Sequence, residues 1–208
     1  MRGVVQRLTA PCAIANGKGA DIRPLFIRMP PEFSRNHFEL FGLPVRFQIE
    51  EPALERAYRD LQSRVHPDRF ASASEAERRV AMQWATRVNE ANRTLRHPVN
   101  RARYLLGLKG FDTGEETNTS MPPDFLMQQM EWREAVEAGR AGRDNAVLER
   151  LRSEIVEART QMLGLLARAL DAERNYDAGC SLVRKLRFLD KLEEEIDDCV
   201  DARPGAAR

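Results

Sequence analysis

Helical periodicity from Phe38 onward limits what this chain can fold into more than any other feature. Apolar residues recur every three or four positions, so each set lies along one side of a helix. The first set is Leu54, Tyr58, Leu61 and Val65, and the second is Val80, Trp84, Val88, Ala91 and Leu95. No segment alternates apolar and polar residues as a half-buried strand does, so the sequence predicts an all-α fold.

The tripeptide His66-Pro67-Asp68 separates these two periodic segments. Proline disfavours helical geometry at the residue before it, so the first helix should end here. The two helices then form an antiparallel hairpin. The apolar residues available to close this hairpin into a small domain are Phe41, Leu43, Tyr104, Leu105 and Leu108.

The rest of the chain divides by composition. Residues 1–35 are rich in Pro and Gly and should be a disordered extension, and translation from Met29 is an alternative start. We expect the hairpin domain over 36–110, a linker over 111–122 and a short tail over 204–208. Helical segments near 123–138, 144–172 and 176–203 predict an up-down-up three-helix bundle over 123–203, interrupted at Gly139–Gly142 and Glu173–Asn175.

Composition excludes several classes of function. The chain has 33 basic and 32 acidic side chains, a net charge of +1, which gives no steering toward nucleic acid. No apolar run approaches the length of about 20 residues that a membrane span needs, so we expect a soluble protein with no membrane partner. The cysteines, Cys12, Cys180 and Cys199, contain no Cys-x-x-Cys pair and predict neither a disulfide framework nor a metal site.

Two interpretations of His66-Pro67-Asp68 compete. In the first, proline simply ends the helix, and the side chains of His66 and Asp68 are solvated. In the second, the tripeptide is a functional loop, because it lies between two amphipathic helices and follows a helix face with Arg56, Arg59 and Arg64. A catalytic role is disfavoured because the sequence offers no nucleophile or orienting partner for His66. We therefore predict no catalytic residue and no cofactor. The other histidines, His37 and His97, should be structural.

The first bundle helix presents two apolar sets. Phe125, Trp132 and Val136 form a core stripe, while a second strip lies about 100° or more away. The strip consists of Leu126, Met127 and Met130, with charged neighbours Glu131, Arg133 and Glu134. A Met-containing strip with a charged rim suits an adaptable protein-binding surface, and the alternative is a wide core face.

Three segments resemble the HscB family of J-domain co-chaperones: FELFGLPVRFQIEEPALERAYRDLQSRVHPDRFASASEAE, TLRHPVNRARYLLGLKGFD and VRKLRFLDKLEEE. The resemblance spans about residues 37–200. It implies a J-domain without an active site of its own, which docks on an HscA-type heat-shock ATPase and stimulates ATP hydrolysis. The residues implied in that contact are His66, Pro67, Asp68, Arg56, Arg59, Arg64 and Arg69.

The same resemblance implies a second partner, an IscU-type iron-sulfur scaffold protein, because FLMQQMEWREAVE aligns with the segment that binds it in the family. The implied scaffold-binding set is Leu126, Met127, Met130, Glu131, Arg133 and Glu134. Arg159 stands where family members can place an aromatic residue on the second bundle helix. The segment LVRKLRFLDKLEEEI carries a packing stripe of Leu182, Leu186, Leu189 and Ile196, which we interpret as core.

Alternatives to this function remain at the level of the sequence. A general J-protein for unfolded clients would call for Gly/Phe-rich or zinc-bearing modules, which the chain lacks. A helical nucleic-acid-binding module lacks an aromatic platform for bases, since both tryptophans lie on core stripes. Eukaryotic relatives carry paired Cys-x-x-Cys motifs before the J-domain, whereas only Cys12 precedes it here, so we expect the bacterial cytoplasm, with the mitochondrial matrix as the alternative.

Overall fold

A computed structural model describes residues 35–114, 121–142 and 144–201. Within these ranges the secondary structure is entirely helical, which confirms the predicted class. In chain order the helices are α1 His37–Leu40, α2 Glu51–Val65, a 3-10 turn Pro67–Phe70, α3 Glu75–Arg96, α4 Pro98–Leu108, α5 Pro123–Gly142, α6 Asn145–Ala167, a π-helical turn Arg168–Glu173 and α7 Tyr176–Asp201. The predictions for the extension over 1–34, the centre of the linker and the tail lie outside the described residues.

α2 and α3 form the predicted hairpin. Leu54 and Val65 of α2 are buried, as are Trp84, Val88 and Leu95 of α3. α3 begins with a capping box: Ser74 Oγ accepts from the Glu77 backbone N at 3.3 Å, and a Glu77 carboxylate oxygen accepts from the Ser74 backbone N at 2.9 Å. This reciprocal pair satisfies backbone donors that the first helical turn leaves open and so fixes where α3 begins.

α1 and α4 close the hairpin, but not with every residue that the sequence suggested. Phe38, Phe41 and Leu105 are buried. The prediction for Leu108 is wrong, since this side chain is 41% exposed, and fully buried Leu106 takes the inward position instead. Leu106 points toward α7, which the hairpin pattern alone could not indicate.

α5, α6 and α7 form the three-helix bundle. Its core contains the predicted stripe Phe125, Trp132 and Val136, packed against α6 and α7. The stripe expected on the last helix is also confirmed for its inner part: Leu186, Leu189 and Ile196 are buried, and Leu182 is half-buried.

The break predicted at Gly139–Gly142 is wrong, because α5 continues through Gly142. Gly139 is buried, and a Cβ there would lie 2.7 Å from Leu148 Cδ2 of α6. The glycine thus allows close packing of two helices rather than a turn. α6 starts at Asn145, and the preceding Asp144 caps it: Asp144 Oδ1 accepts from the backbone N of Ala146 and Val147 at 2.9 and 3.3 Å.

The hairpin and the bundle meet along a seam between α4 and α7. Phe111 and Tyr176 lie with ring centroids 5.1 Å apart, and Arg184 Nη1 donates to the Thr113 carbonyl oxygen at 2.8 Å. The first residues of the predicted linker therefore pack against α7. The described helices belong to one compact unit, while the domain limits at 110 and 123 stay a prediction.

Candidate partner-binding surfaces

The loop between α2 and α3 holds the His66-Pro67-Asp68 tripeptide in a defined turn. α2 ends at Val65, as predicted, and His66 leaves helical geometry with φ −59° and ψ 128°. The steric effect of Pro67 on the preceding residue explains this exit. Two residues past the tripeptide, Phe70 is only 3% exposed and anchors the turn in the hairpin core.

The polar side chains of the turn make few contacts with the rest of the protein. His66 Nδ1 accepts from the Asp68 backbone N at 3.3 Å and lies 3.5 Å from Asp68 Oδ2. These side chains are 51% and 89% exposed, respectively. Arg69 differs, because its Nη1 donates to the Ser63 carbonyl oxygen at 3.0 Å and so caps the end of α2. His66 and Asp68 are therefore presented to solvent on an anchored turn.

The exposed face of α2 is mixed in charge rather than basic. Arg59 pairs with Glu55 one turn earlier, and Arg64 pairs with Asp60 at 2.6 Å. Arg56 is exposed on the same helix. Exposed pairs of this kind contribute about 0.3–0.5 kcal/mol each, so an acidic partner can exchange with the helix's own carboxylates at small cost.

The second predicted surface lies on α5. Leu126, Met127 and Met130 are 43%, 64% and 63% exposed, respectively, so the alternative of a wide core face is wrong. The charged residues Glu131, Arg133 and Glu134 are exposed beside them. We call Leu126, Met127 and Met130 the α5 strip. It is an apolar surface without cover in the described part of the chain, edged by charge of both signs.

Phe188, which the sequence placed in a core segment, contacts the charged rim of this strip at Arg133. Phe188 of α7 is half-buried, with its ring centroid 6.4 Å from that of Trp132, and the Arg133 guanidinium lies 5.7 Å from the Phe188 ring centre. Only the packing of α7 against α5 brings Phe188 here. A signal was available in the sequence, since Phe188 falls outside the stripe of Leu186 and Leu189.

Arg159 does not complete the apolar surface on α5, because it is engaged in ion pairs with α7. Its guanidinium pairs with Asp190 at 3.1 Å and with Glu193 at 2.8 Å, both on α7. The three side chains are no more than 24% exposed. Arg159 therefore links α6 to α7, and the aromatic ring at the rim of the α5 strip, against Arg133, comes from α7.

His37 packs within the hairpin domain, as expected of a structural residue, while the structural role of His97 stays a prediction. The His37 ring stacks on Tyr104 with centroids 4.2 Å apart, and its backbone N donates to the Tyr104 hydroxyl at 2.9 Å. Burial lowers the pKa of His37, opposed by the Glu90 carboxylate. His97 precedes Pro98 at the start of α4.

Residues 35–114, 121–142 and 144–201 contain neither a membrane-spanning helix nor a cluster of metal-ligand side chains. No helix there is long and apolar enough to cross a membrane. Nor do any three His, Cys, Asp or Glu side chains of these ranges come together as metal ligands would.

Comparison with known proteins identifies the family. A co-chaperone protein HscB homolog from Aromatoleum aromaticum is 48% identical over 174 residues, 84% of this chain and 98% of the relative. One from Burkholderia thailandensis is 51% identical over 161 residues, 77% of this chain and 91% of the relative. The chain belongs to the HscB co-chaperone family.

Solved HscB structures have the same architecture. Chaperone HscB from Vibrio cholerae superposes with a TM-score of 0.71 at 38% identity, covering 81% of this chain and 99% of that one. Human co-chaperone HscB gives 0.76 at 27% identity, covering 80% and 83%. A sequence model described as the HSCB C-terminal oligomerisation domain matches residues 121–197. The hairpin with α1 and α4 is thus the J-domain of an HscB protein, and α5–α7 are its C-terminal bundle.

Proposed function

We propose that this HscB protein is a two-sided adaptor in iron-sulfur cluster assembly. The turn at His66, Pro67 and Asp68, which we call the motif turn, docks on an HscA-type heat-shock ATPase and stimulates ATP hydrolysis. The α5 strip binds an IscU-type scaffold protein, which the co-chaperone delivers to that ATPase. The protein catalyses no reaction itself and acts by shifting the ATPase toward its hydrolysis-competent conformation.

The observation that carries this proposal is the presence of two unlike exposed surfaces on one compact unit. One is polar and sits on a turn anchored by Phe70; the other is apolar and rimmed by charge. An adaptor needs two such surfaces, because a protein that binds one partner at a time cannot raise the local concentration of the second.

The motif turn and the adjoining exposed face of α2 suit recognition of an acidic surface on the ATPase. Electrostatic steering and charge-assisted hydrogen bonds come from Arg56, Arg59 and Arg64. For Arg59 and Arg64 this requires that their ion pairs with Glu55 and Asp60 are replaced by pairs with the ATPase. Asp68, 89% exposed, is available to a basic group of the ATPase. Because the turn is fixed in the free protein, little conformational entropy is lost when it docks.

The α5 strip suits an apolar segment of the scaffold protein. Leu126 and the two methionines offer flexible apolar contacts, and we include Phe188 beside them as a rigid aromatic contact. Glu131, Arg133 and Glu134 then form the polar rim that fixes orientation. Arg133 belongs to both parts, since its guanidinium lies over the Phe188 ring.

Steady-state ATP hydrolysis by the cognate HscA-type chaperone tests the proposal. The rate is measured with this protein alone, with the scaffold alone and with both. We expect stimulation by this protein alone and a more than additive rate with both partners. Stimulation that ignores the scaffold would favour a general J-protein for unfolded clients, and no stimulation would contradict the proposed J-domain activity.

A further inference from the structure

The carboxylate of Asp171 connects the bundle to the J-domain. Its Oδ1 accepts from the Phe47 backbone N at 2.7 Å, and its Oδ2 accepts from the Gln48 backbone N at 2.8 Å. Phe47 and Gln48 precede α2 and lie more than 120 positions away along the chain. One side chain of the bundle therefore holds two consecutive N–H groups of the J-domain with both of its oxygens.

Asp171 lies in the π-helical turn between α6 and α7. Arg168–Glu173 follows α6 directly and ends at Arg174, which has a left-handed backbone with φ 54°. A π-turn contains one residue more than an α-turn and so changes the direction in which its side chains point. Such turns occur often at functional positions, and left-handed non-glycine residues are uncommon.

A buried cation lies next to this contact. Phe47 is 4% exposed, and the Arg101 guanidinium, itself 6% exposed, lies 5.1 Å from the centre of its ring. Burial lowers the pKa of Arg101, while the carboxylates of Glu51 and Asp171 act in the opposite direction. Arg101 Nη1 donates to the Leu95 carbonyl oxygen at 2.7 Å, so the cation is held in place beneath Phe47.

A close apolar contact lies beside the same turn. Leu170 packs against Gly179 of α7, where a Cβ would lie 2.7 Å from Leu170 Cδ2 and 3.5 Å from Leu106 Cδ2. The turn that carries Asp171 thus packs against α7 at Gly179, which Leu106 of α4 also approaches. Sliding at this seam would separate the Asp171 oxygens from their donors.

We propose that Asp171 is a positioning residue that fixes the orientation of the motif turn relative to the α5 strip. It lies in neither proposed partner surface and acts through the loop at Phe47 and Gln48. Its effect on ATPase stimulation rests on the proposed function, whereas its effect on orientation does not. Loss of its charge should leave each surface intact while allowing the two to move against each other.

The test replaces the carboxylate with its amide, Asp171→Asn. One amide oxygen can still accept a hydrogen bond, but the amide nitrogen would face a backbone N–H donor. Glu173→Gln is the matched control, because it is the same chemical change in the same turn. Among the described residues, Glu173 pairs only with Arg168, at 2.6 Å in an exposed ion pair. Residual dipolar couplings of the full chain then report orientation.

In the parent protein and in Glu173→Gln, couplings from α2–α4 and from α5–α7 should fit one alignment tensor. In Asp171→Asn the two groups should need separate tensors, and the amides of Phe47 and Gln48 should lose protection from hydrogen exchange. A single tensor in Asp171→Asn would overturn the proposal. If that variant does not fold, Asp171→Ser, which also removes the charge but leaves one hydroxyl oxygen as an acceptor, answers the same question with the same expected result.

The ATPase readout separates positioning from simple stability. In Asp171→Asn the stimulation seen without scaffold should be retained, while the additional stimulation with scaffold should fall roughly tenfold, since small misplacements have large kinetic effects. Separate tensors with unchanged synergy would overturn the positioning role. If the parent protein itself shows no synergy, the proposed function fails, and the dipolar couplings alone decide the role of Asp171.

Discussion

In the motif turn and the residues that follow it, some side chains stabilise the fold and others are available for recognition. Phe70 is buried and holds the turn, Arg69 caps α2, and among the described residues the His66 side chain contacts only Asp68. A residue that contributes so little to the folded state is available for a partner. His66 is therefore the position where function and stability can be separated most cleanly.

We predict that His66→Gln abolishes ATPase stimulation while changing the free energy of unfolding by no more than about 0.5 kcal/mol. Steady-state hydrolysis and thermal denaturation measure the two effects. His97→Gln makes the same change at the other His-Pro sequence and should keep stimulation. Stimulation that survives in His66→Gln would remove the motif from the proposed mechanism.

His37 should make the J-domain sensitive to acid. Its pKa is lowered in the folded protein, chiefly by burial, so the unfolded chain binds a proton more readily. The stabilisation is complete above the unfolded pKa of about 6.5 and is lost as pH falls below it toward the folded value. His37→Phe, which keeps an aromatic ring against Tyr104, should weaken this loss, as measured by urea unfolding at a series of pH values. An unchanged pH profile would assign the acid sensitivity to other groups.

At the scale of elements, the sequence predicted correctly those helices whose position follows from a single apolar stripe. The stripes of α2 and α3 and the proline after His66 placed the hairpin and its turn correctly. The predictions were wrong where packing against a second helix decides the structure. Gly139 packs against Leu148 of α6, and Leu106 packs against α7. The position of Phe188 was not predicted for the same reason, because its neighbours Trp132 and Arg133 belong to another helix.

The α5 strip should act as a binding surface and not as a part of the core. We predict that Leu126→Ala, Met127→Ala and Met130→Ala together weaken scaffold binding by about 3 kcal/mol, roughly 100-fold in Kd. Calorimetry measures the affinity. Because the side chains are exposed and alanine favours helices, the free energy of unfolding should change by less than about 1 kcal/mol.

A matched control for the strip is available on α6. Val156 and Leu165 are 50% and 55% exposed, so Val156→Ala with Leu165→Ala removes exposed apolar groups outside the strip. Scaffold binding should be kept in this control. Equal losses in both variants would show that binding follows general apolar exposure, and unfolding of the strip variant would show that its side chains support the bundle.

At the scale of the whole molecule, composition and periodicity indicated two helical halves but not how they join. The Gly-, Thr- and Pro-rich segment after Leu108 has the composition of a free linker, yet Phe111 lies against Tyr176 and the Thr113 carbonyl accepts from Arg184. Asp171 in turn holds the loop before α2. These contacts pair residues 65 or more positions apart, so no local pattern reports them.

The joined seam predicts that both halves unfold together, and the two tryptophans allow a direct test. Trp84 lies in the J-domain and Trp132 in the bundle, 5% and 7% exposed, so Trp132→Phe and Trp84→Phe each leave a reporter of one half. Within each variant, the urea midpoint from tryptophan fluorescence should coincide with that from far-ultraviolet circular dichroism, which averages over all helices. Coincidence in both variants means that the J-domain and the bundle are one cooperative unit. A fluorescence midpoint that departs from the dichroism midpoint in either variant would mean that the seam is too weak to couple the halves, and that the orientation of the two partner surfaces is not fixed by folding.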